Sequence, residues 1–163
     1  MPSHDIDRER ADLNGRSVFV VGSRYHTRIQ REKLASAGAT VICSEELGGE
    51  NVTRSGDAEL VTREILGQAT RPDAVVIHHP RMGLYDGELD QAPALVLARN
   101  LKAHGIPTLI IDDFGGSASK LELIRRAGVT FHRLDLLPAK TVPRVVARMI
   151  DEQEQRRSLG TGM

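Results

Sequence analysis

Short apolar runs alternate along the chain with longer stretches in which apolar residues recur at helical spacing. The short runs are rich in β-branched residues and mostly lack polar alternation, which predicts strands that helices cover on both faces. This alternation predicts an α/β domain with a doubly wound, five-stranded parallel sheet, whose site lies at the carboxyl ends of the strands. The predicted strands are residues 17–21, 40–43, 74–78, 108–111 and 129–133.

Five helices are predicted between and after these strands. A glycine follows each of the first, third and fourth helices, because the position after a helix often adopts the left-handed conformation that glycine tolerates. The last helix has apolar residues at i, i+3, i+4, i+7 and i+8, a stripe that packs on the sheet. The helices are predicted at about residues 27–37 and 57–68, from Pro93 to Gly105, from Ser117 or Ser119 to Gly128, and over Val142, Val145, Val146, Met149 and Ile150.

Composition and length predict one domain between polar ends. A chain of 163 residues with 40% hydrophobic content can bury one sizeable core. Residues 1–12 and about 153–163 are polar and lack periodicity, so we expect tails or linkers around a domain at residues 13–152.

Charge and cysteine content narrow the class of protein. The 22 basic and 22 acidic residues balance, which gives no reason to expect DNA or an anionic membrane as the main partner. The one cysteine, Cys43, excludes a disulfide framework, and neither an apolar leader nor a run of about 18 apolar residues is found. We therefore expect a cytoplasmic protein.

Several short segments carry a likeness to a known family. They are residues 13–21 (LNGRSVFVV), 38–41 (GATV), 105–107 (GIP) and 126–129 (RAGV). Over residues 13–150 the chain resembles the response-regulator receiver domains found inside hybrid histidine kinases. The resemblance implies the flavodoxin-like receiver fold, with strand order 2-1-3-4-5.

The same resemblance implies where the phosphorylation chemistry would stand. Receivers carry an acidic pair for Mg²⁺ after the first strand, a phosphoacceptor Asp at the tip of the third, a Thr or Ser after the fourth, and a Lys after the fifth. In this chain these positions fall on Gly22 and Ser23, on His78, on Asp112, and on Leu134 or Asp135.

These residues do not suit phosphoryl transfer. Transfer to a carboxylate needs a divalent cation held by oxygen ligands, and Gly22 has no side-chain oxygen. Leu134 cannot stabilise phosphoryl oxygens, and Asp135 would repel them. The sequence therefore predicts a degenerate pocket, with no catalytic residue and no enzyme activity.

Other sites at the strand tips remain open. His78, His79, Asp112 and Asp113 are of types that ligate zinc, but neighbouring residues on a strand point to opposite faces, so we expect no metal site. The fold class also accommodates a flavodoxin-like domain that binds FMN or cobalamin as an alternative. We expect no resident cofactor.

Basic residues concentrate in the last third of the chain. Residues 119–150 have seven basic and two acidic side chains, a net charge of +5. They lie on the predicted fourth helix, fifth strand and fifth helix, the face that receivers use for dimer or kinase contacts. We name them the basic set: Lys120, Arg125, Arg126, Arg133, Lys140, Arg144 and Arg148.

Guanidinium groups can dock an acidic protein surface or fork onto the phosphates of a dinucleotide, although a solvated charged face is an equal alternative. Some receiver-like domains without phosphorylation chemistry bind cyclic di-GMP on this face, so the resemblance also allows that ligand here. The expected function is that of a pseudo-receiver in two-component signalling, which regulates a histidine kinase or phosphorelay by docking. Its expected partners are histidine kinase catalytic or dimerisation domains, or a second receiver domain of the same chain.

Overall fold

A computed structural model describes residues 12–22, 24–43, 57–78, 92–112, 122, 124–126, 128–133 and 141–161. Four helices have defined bounds: α1 (Arg24–Ser36), α2 (Asp57–Leu66), α3 (Pro93–Ala103) and α4 (Val142–Thr161). Residues 122 and 124–126 are also helical and correspond to the predicted fourth helix, so α4 is the predicted fifth. No helix among these residues is long and apolar enough to cross a membrane.

The strands form one parallel sheet. Strands β1 (Ser17–Val21), β2 (Thr40–Cys43), β3 (Ala74–His78), β4 (Thr108–Asp112) and β5 (Thr130–Arg133) take the order β2-β1-β3-β4-β5. The α/β class and the parallel order 2-1-3-4 confirm the prediction. Because all strands run the same way, their carboxyl ends share one edge of the sheet, which is where parallel sheets of this kind bind ligands.

Side-chain alternation divides the core into two layers. Phe19, Val75 and Ile110 point to one face of the sheet, where α2, α3 and Ile124 cover them. Their neighbours Val18, Val20, Ala74, Val76, Leu109 and Ile111 point to the other face, under α1 and α4. Burial on both faces explains why the strand sequences are almost continuously apolar.

Helices α1 and α3 end in the same way. Gly38 and Gly105 have φ angles of 101° and 75°, in the left-handed region. Ala39 N donates to Leu34 O at 3.1 Å, and Ile106 N donates to Leu101 O at 2.9 Å. These bonds form Schellman motifs, and each leaves a buried apolar pair at the helix end.

Helix α4 is longer than its apolar stripe predicts. The sequence predicts a polar tail from about residue 153, whereas the helix continues to Thr161. Arg157 Nη2 donates to Gly105 O at 2.8 Å, and Glu154 accepts a hydrogen bond from Arg16. Glu, Gln and Arg are also good helix formers, so the prediction of a tail from missing apolar periodicity is wrong there.

Candidate functional site

The carboxyl edge of the sheet brings together three of the residues that sequence analysis singled out. Val21 pairs with Ile77, so Gly22 follows β1 at the level of His78, the last residue of β3. His78 pairs with Ile111, so Asp112 stands one position further along β4. The other predicted positions of this pocket, Ser23, Leu134 and Asp135, lie outside the described residues, as do His79 and Asp113.

His78 is a buried side chain, only 3% exposed. It follows Ala74 and Val76 on the face of the sheet that α1 and α4 cover, because side chains alternate along a strand. Its Nδ1 atom lies 3.0 Å from Nε2 of Gln30, which projects from α1. The position that the family resemblance assigns to a phosphoacceptor is therefore occupied by an imidazole packed into the core and bonded to a helix.

The Gln30–His78 hydrogen bond joins the end of β3 to α1 inside the core. Gln30 is completely buried. Its Oε1 atom has no hydrogen-bond partner among the described residues.

Gln30 is a residue of this site that was not predicted from the sequence. The signal that could have found it is its position in α1: Thr27, Gln30 and Leu34 are spaced i, i+3 and i+7 and are all buried. A polar residue in the inward stripe of a helix requires a partner from another element. That partner is His78, 48 residues away in the chain.

Metal binding receives no support from the described residues. They contain no group of three or more His, Cys, Asp or Glu side chains that could hold an ion.

The basic set is divided between the two faces of the sheet. Arg125 and Arg126 follow Ile124, which packs with α2 and α3, whereas Arg144 and Arg148 lie on α4 across the sheet. Arg133 is the last residue of edge strand β5. Lys120 and Lys140 lie outside the described residues.

Two members of the basic set already have an acidic neighbour. Arg125 Nη1 lies 3.6 Å from Glu122 Oε2, and Arg126 Nε lies 3.5 Å from Glu122 Oε1. Both arginines are highly exposed, so water screens these pairs and they hold the side chains weakly. Arg144 is half-buried, and Arg148 is exposed one helical turn away.

A second polar cluster lies at the opposite, amino-terminal edge of the sheet. Asp73, just before β3, accepts a hydrogen bond from Ser17 N at 2.8 Å and lies 3.9 Å from Arg16 Nη1. Arg16 also donates to Glu154 of α4. That bond lowers the pKa of Glu154 and, with the nearby carboxylates, raises the pKa of Arg16. The cluster ties the last turns of α4 to the starts of β1 and β3.

Comparison with known proteins identifies the fold. No family model and no curated protein matches the chain. Among solved structures it is similar to the signal receiver domain of a modulated diguanylate cyclase from Desulfovibrio desulfuricans G20, with 17% identity and a TM-score of 0.61 over 86% of this chain and 98% of that chain.

Two other solved structures agree. A CheY-like response-regulator receiver domain from Methanospirillum hungatei JF-1 has 12% identity and a TM-score of 0.57, over 86% of this chain and 98% of that chain. NtrX from Brucella abortus in complex with ADP has 17% identity and a TM-score of 0.60, over 90% of this chain and 28% of that chain. With the parallel sheet and its strand order, these similarities show that the chain has the fold of a response-regulator receiver domain.

Proposed function

We propose that this chain is a pseudo-receiver, a signalling domain that keeps the receiver fold but does not accept a phosphoryl group. The observation that carries the proposal is the Gln30–His78 pair. A buried imidazole that is hydrogen-bonded to α1 occupies the tip of β3, where the resemblance assigns the acceptor carboxylate.

The residue beside it strengthens the proposal. Gly22, which stands level with His78 at the end of β1, has no side chain with which to ligate a metal ion. Mg²⁺ requires oxygen ligands in near-octahedral geometry, and phosphoryl transfer depends on the ion to offset the charge of the transferred group. Neither Gly22 nor His78 therefore supplies the acceptor carboxylate or a side-chain oxygen ligand for Mg²⁺.

A domain that does not take phosphate needs another way to change state. We propose that it acts by docking to the catalytic or dimerisation domain of a histidine kinase, or to a receiver domain of the same chain. Binding changes the output only if the partner has a different affinity for two states of the domain. Arg144 and Arg148 on α4 offer charged groups for such a contact.

Cyclic di-GMP is the proposed regulatory ligand of the basic set. Its two phosphates suit guanidinium forks, and its bases can stack on guanidinium planes. Since Arg125 and Arg126 lie on the opposite side of the sheet from Arg144 and Arg148, a single ligand that reaches both pairs must lie across edge strand β5.

Amide chemical-shift mapping tests the proposal. The ¹⁵N-labelled chain is titrated in parallel with acetyl phosphate plus Mg²⁺, with cyclic di-GMP, and with purified kinase dimerisation domains. We expect no shifts around Gly22, His78 and Asp112 with the phosphodonor, and shifts on α4 and β5 with a kinase domain or the dinucleotide. Metal-dependent phosphodonor shifts at the carboxyl edge would overturn the pseudo-receiver proposal.

The test with cyclic di-GMP uses a double substitution on α4 and a matched control substitution elsewhere. Arg144→Gln together with Arg148→Gln should abolish its shifts, whereas Arg28→Gln, an exposed position on α1, should not. If cyclic di-GMP at micromolar concentration produces no shifts, the proposal that this dinucleotide regulates the domain is rejected. The proposal that the domain acts by docking does not depend on it. A flavin or corrinoid absorption band in the purified protein would instead favour the cofactor-binding alternative.

A further inference from the structure

The amino-terminal edge of the sheet contains a cavity of about 290 Å³ that the proposed function does not use. It lies between the segment before β3, the end of α3 and the last turns of α4. Its apolar lining consists of Pro72, Ile106 and Ile150, all buried. Its polar rim includes Arg71, His104 and Arg157, all exposed.

The two carboxylates of this cavity already have a partner, whereas Arg71 has none among the described residues. The two carboxylates in its lining, Asp73 and Glu154, both pair with Arg16, and Asp73 also accepts the Ser17 backbone N–H. Arg71 has no ion pair or hydrogen bond with any residue in the described part of the chain. Arg71 therefore directs none of its five N–H donors at a described residue.

The rim is also preorganised. Arg157 is held by the hydrogen bond from its Nη2 atom to Gly105 O, and the His104 ring is held by its Nδ1 atom, 2.9 Å from Asn100 O. A carbonyl oxygen only accepts, so His104 donates from Nδ1, which fixes the ring orientation. Fixing these groups before binding lowers the entropy that a ligand would otherwise lose in ordering them.

From this geometry we propose that the cavity binds a small organic anion, with a phosphate or carboxylate head group on Arg71 and Arg157 and a compact apolar body on Pro72, Ile106 and Ile150. A guanidinium group pairs with either head group through parallel N–H donors. The volume is close to the lower end for small-molecule sites, about 300 Å³. Such a ligand joins the segment before β3 to the end of α4, so it holds the last turns of that helix against the sheet.

Four probes separate the contributions of head group and body. Phenyl phosphate and benzoate carry both, phenol lacks the charge, and inorganic phosphate lacks the apolar body. At constant ionic strength, we expect phenyl phosphate or benzoate to shift the backbone amides of residues 71, 73, 104–106 and 150–157 saturably, in the range of about 1 mM. Whichever of the two binds more tightly identifies the head group. Phenol and inorganic phosphate should bind more weakly than both.

Matched variants make the test specific. Arg71→Gln should weaken the binding of the aromatic anions about two- to five-fold, the range of an exposed ion pair. Arg28→Gln removes the same charge from a distant exposed position on α1 and should change nothing. Binding should also slow amide hydrogen exchange over residues 153–158.

Three results would overturn the proposal. They are the absence of saturable shifts with both aromatic anions, shifts centred on other residues, and equal weakening by the two arginine substitutions. None of them bears on the pseudo-receiver proposal, because the probes and variants leave the carboxyl edge of the sheet untouched.

Discussion

Exchange of Gln30 and His78 for leucine, singly and together, tests the hydrogen bond on which the proposed function depends. His78→Leu leaves the Gln30 amide in the core without its His78 partner. A buried polar group that loses its bond costs about 1–3 kcal/mol of unfolding free energy. Gln30→Leu likewise leaves His78 Nδ1 in the core without its donor, at a cost in the same range. We therefore expect the two single substitutions to destabilise the chain by similar amounts.

The double variant supplies the decisive number. Replacing both partners of a buried hydrogen bond by apolar groups of similar shape is close to neutral. We expect the double variant to lose about 1–2 kcal/mol less unfolding free energy than the two single variants lose in total. A coupling energy of this size is within the range found for residues in contact. All other contacts of either residue cancel in this coupling energy.

Urea unfolding followed by circular dichroism gives the unfolding free energies of the unchanged chain, the two single variants and the double variant. Thermal unfolding provides a second reading, since about 1 kcal/mol corresponds to about 2–4 °C in a chain of this size. Val76→Ala, in the same layer of the core, serves as a control: combined with Gln30→Leu, it tests whether any pair of core changes couples as strongly. Additive effects of Gln30→Leu and His78→Leu would refute the buried pair.

Three further predictions address the pocket, a turn and the helix extension. His78→Asp should remain unphosphorylated by acetyl phosphate with Mg²⁺ in intact-mass analysis, because Gly22 still supplies no metal ligand; a metal-dependent phosphoryl adduct would contradict this. Gly38→Ala should lower the unfolding free energy by about 1–2 kcal/mol or more, since it forces a side chain into the left-handed region and into contact with Asn14. Gly15→Ala, with similar φ but open space, should cost less in the same urea titration. Glu154→Gln should destabilise the chain at neutral pH, because the carboxylate has a lowered pKa in the folded state. The difference should be full above about pH 4.3, the ordinary glutamate value, and vanish as the pH falls through the lower folded-state pKa; unfolding curves with no such pH dependence would contradict this.

The central strands β1 and β3 could be predicted from the sequence because both of their faces are buried. Strands β1, β2 and β3 have the predicted bounds, since each is a short apolar run that ends at a polar residue or glycine. The positions of Gly22 and His78 at one edge follow from parallel strands, so this part of the site could also be predicted.

Features that depend on partners distant in sequence could not be predicted. The last turns of α4 are held by Arg16 and Gly105, which lie 138 and 52 residues from their partners Glu154 and Arg157. Gln30 acquires its role only when β3 is placed beside α1. The count of basic residues between 119 and 150 likewise could not show that Glu122 lies beside Arg125 and Arg126, or that the sheet separates these two from Arg144 and Arg148.

Phosphoryl transfer to the chain itself tests the central claim most directly. The purified protein is incubated with acetyl phosphate and Mg²⁺, with an authentic receiver domain treated in parallel as the positive control, and both are weighed intact by mass spectrometry. A buried, hydrogen-bonded His78 beside Gly22 predicts no added phosphoryl group on this chain while the control gains one. A stable, metal-dependent phosphoryl adduct located at the carboxyl edge of the sheet would contradict it.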